Sequence, residues 1–96
     1  MSAPTISSAY SSGDFTVDVT ATCVNSDGEL VIQAEWSDGH VETVREQATN
    51  CDTVTVSSAD FDDPLEDGTT VTAWMSNGAL LSNSASVTLQ ATTTTS

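Results

Sequence analysis

Phe15-Thr16-Val17-Asp18-Val19-Thr20-Ala21-Thr22-Cys23 alternates apolar and polar residues without a break. Successive side chains of an extended chain point to opposite faces. Phe15, Val17, Val19, Ala21 and Cys23 therefore share one face, and Thr16, Asp18, Thr20 and Thr22 share the other. That is the pattern of a strand with one buried and one wet side. Helical periodicity hardly occurs anywhere in the chain.

The same period continues in both directions. Asn25-Ser26-Asp27-Gly28 supplies turn chemistry, and Leu30, Ile32, Ala34 and Trp36 then alternate with Val31, Gln33 and Glu35. Ser37-Asp38-Gly39 predicts a tight hairpin, with His40 to Arg45 returning as a short polar strand. Cys51 to Ser57 holds Val54 and Val56 at strand spacing. Thr69 to Met75 sets Val71, Ala73 and Met75 against Thr70, Thr72 and Trp74, and Asn77-Gly78 turns the chain. Ala85, Val87 and Leu89 mark a last strand, and Pro4 to Tyr10 suits an edge. Only Ser58 to Asp63 offers a helical turn. The pattern predicts an all-β, seven-stranded antiparallel sandwich occupying residues 1–90 as a single domain, with residues 91–96 a Thr-rich tail prone to fray.

Composition narrows the partners. The chain has fourteen acids, one arginine (Arg45) and no lysine, for a formal charge of -13 over 96 residues. Nucleic acid and anionic membrane surfaces are poor partners for it, because both are recognised through Lys and Arg. No apolar run reaches membrane-spanning length. At low salt such a surface repels itself, and concentrated salt screens it. The balance resembles proteins of extreme halophiles. MSAPTISSAY has neither a basic nor an apolar signal region, so it does not read as a signal peptide. The expectation is a domain cut from a longer secreted chain, or one that leaves the cell by another route, such as a virus particle.

FTVDVTATC followed by AEW resembles strands B and C of immunoglobulin-like domains, with Trp36 thirteen residues after Cys23. DGTTVTAWMSNGALLSNSASVTL looks like the F–G hairpin of immunoglobulin-like and fibronectin type III domains, and NSDGELVIQAEWSDG is similar to bacterial polycystic-kidney-disease-type repeats. The resemblance runs from Pro4 to Leu89. It departs from the family in strand F, where the second Cys and the corner Tyr are missing and Ala73 and Val71 stand instead. It places Cys51 at the start of strand E, beside the end of strand B, and so implies a Cys23–Cys51 disulfide within one sheet. The alternative is two buried free thiols.

Four places hold candidate chemistry. Asp60, Asp62, Asp63, Glu66 and Asp67 crowd one stretch, DFDDPLEDG, and carboxylate oxygens in a flexible loop suit Ca2+. The spacing is not that of an EF-hand, and Asp63-Pro64 and Asp67-Gly68 equally read as turn initiators at a solvated E–F corner. His40 lies near Asp38 and Glu42, with no nucleophile motif in the chain, which argues against catalysis. Trp74 either faces outward as a contact residue or packs with Trp36 in the core. Arg45 is either paired among carboxylates or an interface anchor.

No cofactor is expected beyond that calcium option. The expected function is a non-enzymatic one. By resemblance it is a decoration protein of a tailed virus of a halophilic archaeon, bound to the major capsid or tail protein on the virion surface. It would sit there as a trimer or at symmetry axes and stabilise the particle or touch the host. Trp74 and Arg45 are its candidate contacts. The alternative is a module of a secreted adhesin or surface-layer protein. A carbohydrate-binding module comes third, and requires Trp36 and Trp74 to be exposed and coplanar.

Overall fold

The computed structural model describes residues 4–11, 14–21, 28–48, 52–77, 80–81 and 83–90. The alternating residues from Phe15 to Thr20 lie in β2 (Asp14–Thr20). Its burial alternates as its composition does, with Phe15, Val17 and Val19 buried. β2 is the centre of a three-stranded antiparallel sheet, between β1 (Thr5–Ser11) and β5 (Thr53–Ser57). Tyr10 pairs with Phe15, and Val17 with Val56. Beyond the ladder, the Ala21 amide donates to the carbonyl of Asp52 at 2.7 Å.

The second sheet is built on β3 (Gly28–Glu35) and β6 (Thr70–Asn77). β4 (Val41–Ala48) pairs with the free side of β3. β7 (Leu80–Leu81) and β8 (Ala85–Thr88) lie along the far edge of β6, one at each end of it. Among the described residues the seven expected strands thus appear as eight, because two short strands share the last place. The return strand of the first hairpin of this sheet, expected to end at Arg45, runs on to Ala48.

Hydrophobic burial joins the sheets. Phe15, Val17, Val19 and Val56 from the first meet Leu30, Ile32, Ala34, Val71, Ala73 and Met75 from the second in one core. Trp36, Phe61, Leu65 and Leu89 close its ends. Burying a side chain of this size contributes about 1.5–3 kcal/mol. The result is an all-β, sandwich-like small domain with two antiparallel sheets.

Two turns position the rest. Trp36 and His40 close a hairpin whose three-residue loop ends in Gly39 at φ 95°. A left-handed residue in that place matches the strand twist, which is why glycine stands there. The expected helical turn shrinks to a single 3₁₀ turn, Ser58–Asp60. Asp60 caps its start, its carboxylate accepting the Ser57 amide at 2.8 Å, and the chain is extended again at Phe61.

Candidate functional site

At one end of the sandwich the hairpin loop meets the segment after the 3₁₀ turn. Trp36, the last inward residue beyond β3, is 4% exposed. Its indole N–H donates to the carbonyl of Pro64 at 2.8 Å, and Phe61 packs edge-on against it at 5.8 Å. On its other side the His40 ring lies 5.1 Å away. His40 and Glu42 are two residues apart on extended backbone, so both side chains leave on the side facing the acidic loop.

Glu42 grips that loop. One carboxylate oxygen accepts the Asp62 amide at 2.8 Å, and the other accepts the Asp63 amide at 3.1 Å. The second oxygen also lies 2.8 Å from His40 Nε2, and an Asp63 carboxylate oxygen lies 3.4 Å from the same nitrogen. The Asp62 amide bond holds the Glu42 carboxyl below its ordinary range, and His40 and the Asp63 amide add to that. The Glu42 hydrogen bond raises the His40 pKa, helped by the charges of Asp63, Glu42 and Asp38.

The five acids of the loop were the expected calcium ligands, and the structure gives them different places. Among the described residues, the group of three whose donor atoms lie within 4.8 Å of one another is His40, Glu42 and Asp63. Asp63 alone of the five joins it. Asp60 is spent on the Ser57 amide, Asp62 presents its amide, and Glu66 and Asp67 belong to a tight turn. There the Thr69 amide donates to the Glu66 carbonyl, and the turn needs Gly68 at φ 91°. Asp63 was visible in the sequence as one acid among many. Its place beside His40 depends on the fold, and the local pattern carries no signal for it.

The outer face of the second sheet holds the other candidates. Register places Arg45, Val31 and Trp74 in one row across β4, β3 and β6. Val71, Ala73 and Met75 fill the core, so Trp74 faces outward, half-buried. Val31 is the middle residue of that row and is fully buried, although it is not part of the core between the sheets. Arg45 is exposed and bonds Glu29 at 3.0 Å. Val41, at the end of the same face, is 45% exposed. With Trp36 buried, there is no platform of two exposed coplanar tryptophans, and the carbohydrate-module expectation loses its requirement. Cys23, Cys51 and the Thr-rich tail lie outside the described residues.

The chain matches no family model, and no curated protein or solved structure matches it significantly.

Proposed function

We propose that this chain is a non-enzymatic binding module, an immunoglobulin-like β-sandwich whose contact surface is the outer face of the second sheet. The strand order supports the fold reading, since β2 and β5 are antiparallel neighbours, as the resemblance implies for strands B and E. The observation that carries the function is the row Arg45–Val31–Trp74. In a chain of charge -13, this face gathers the one basic residue, a half-buried tryptophan and the exposed Val41. Tryptophan and arginine are the side chains most often found to dominate protein contacts. His40 supports a non-enzymatic role, because its ring nitrogen meets two carboxylates rather than a nucleophile.

The specific form proposed is a decoration protein on the outside of a viral particle, bound to its capsid or tail protein. The acid excess supports a high-salt setting, in which surface repulsion is screened and apolar contact is what remains for binding. The test is co-sedimentation of the wild-type chain with purified particles of the source virus in high salt. Stoichiometric binding that Trp74→Ala weakens by at least about 30-fold is expected, the effect of losing a contact worth roughly 2 kcal/mol. Absence from the particles overturns the virion form. Binding that ignores Trp74→Ala overturns the face. A source gene encoding this domain within a long multi-domain frame favours the adhesin or surface-layer module instead.

A further inference from the structure

We propose that His40, Glu42 and Asp63 form a binding site for a transition-metal dication of the zinc class. The site is separate from the binding face and stands independently of it.

The first reason is geometric. A tetrahedral zinc ion takes histidine nitrogen and carboxylate oxygen at about 2.0–2.2 Å, which sets neighbouring donors about 3.4 Å apart. His40 Nε2 and the Asp63 oxygen already stand at 3.4 Å. The Glu42 oxygen at 2.8 Å has to retreat by about half an ångström, and all three donors lie within 4.8 Å of one another.

The second reason is hydrogen-bond accounting. A neutral imidazole nitrogen carries one hydrogen, and here two carboxylates approach it. Glu42 is the closer and takes the hydrogen bond. At 3.4 Å, Asp63 lies beyond the ordinary range for one. A dication in place of that single hydrogen satisfies nitrogen and both carboxylates together.

The third reason is preorganisation. Two backbone amides from the loop fix the Glu42 carboxylate, each using one lone pair and leaving the oxygen nearest His40 able to bind further. The Trp36 ring backs the imidazole. The His40 and Asp63 side chains are 42% and 55% exposed, so an ion can enter and keep water at its fourth position. The imidazole selects against calcium, which prefers six to eight oxygens.

The test uses the untagged chain, stripped with chelator, in a magnesium background that fixes the ionic strength. Zinc is titrated by calorimetry and by thermal melting, with the His40 imidazole resonances followed by NMR. One zinc per chain, a raised melting temperature and shifted His40 resonances are expected. His40→Ala should abolish binding, and Asp63→Asn should weaken it by at least about tenfold. Both residues are exposed, and circular dichroism checks that the variants fold. No zinc binding up to about 1 mM overturns the site. So does binding that either variant leaves unchanged, which places the ion on other acids or on thiolates.

Discussion

The two outer faces of the sandwich are made from the same kind of strand and end up different. On the first sheet, Thr5, Ser7, Thr16, Asp18, Thr20, Thr53, Thr55 and Ser57 share the outer side. They bond to one another across strands, Thr20 to Thr53 at 2.9 Å and Thr55 to Asp18 at 2.7 Å. Short hydroxyl side chains cover little, and everything beneath them belongs to the core between the sheets. On the second sheet, Val31 sits on the outer side of the central β3 strand and is as buried as any core residue. Its flanking neighbours Arg45 and Trp74 have the length to roof it, the arginine with its aliphatic stem. One face is finished by hydrogen bonds to itself and water. The other carries apolar area beyond what the sandwich needs.

The sharpest way to break this contrast is a matched pair of aspartates. Val31→Asp puts a carboxylate into a site with no solvent access and should cost at least about 3 kcal/mol. Thr16→Asp, on the exposed face of β2, should stay within about 0.5 kcal/mol. Urea unfolding in high salt measures both, and similar costs would show that the faces are equally wet. Trp74→Ala comes next. Removing a half-buried aromatic from a sheet face should cost about 1 kcal/mol of stability, and the newly exposed Val31 should then exchange its amide faster. An unchanged melting curve would mean that Trp74 covers nothing. Smaller still is Thr55→Val, which removes the hydroxyl bonded to Asp18. It should cost about 0.5–1 kcal/mol, and a stabilised variant would show that the cross-strand bond contributes nothing.

The alternation in FTVDVTATC was enough to place β2, because a sheet with one wet face writes its period into the residues. The hairpin at Ser37-Asp38-Gly39 was legible for a similar reason, since only certain residues accept a positive φ. Trp74 was not. Val71, Ala73 and Met75 suggested that it points outward, but a tryptophan's size argues for the core, and register against Val31 decides. The buried state of Val31 was invisible, because alternation alone puts it on the outer side of β3. The His40 cluster was half visible. Spacing related His40 to Glu42, whereas Asp63 arrives through backbone amides that any residue type would present. DFDDPLEDG sets five acids within nine positions, a density that suits a calcium cage and also a solvated corner. Most of them are what an acid-rich composition puts on a turn.

The clamp at the end of the sandwich sets a third surface against the two faces, one held by charge, and it gives the smallest expected effect. In metal-free protein, His40 binds its proton more tightly folded than unfolded, so its contribution is complete below its ordinary value of 6.5. It is lost as pH rises through the higher folded value. Glu42 behaves oppositely. Its carboxyl is held below its ordinary 4.5, so its contribution is complete above 4.5 and is lost as pH falls through the lower folded value. Both terms are therefore fully present between pH 4.5 and 6.5. The fourteen acids also gain protons toward the low end and relieve repulsion everywhere, so the wild-type curve alone cannot isolate the clamp. The difference in urea midpoint between wild type and His40→Gln, with chelator present, removes that common background. It should peak inside the window and shrink on both sides. Asp38 and Asp63 are the other charges facing the imidazole, and Asp63→Asn should flatten the peak. A difference that stays constant from pH 4 to pH 9 would mean that the ring holds the hairpin by packing on Trp36 alone, with no part for its charge.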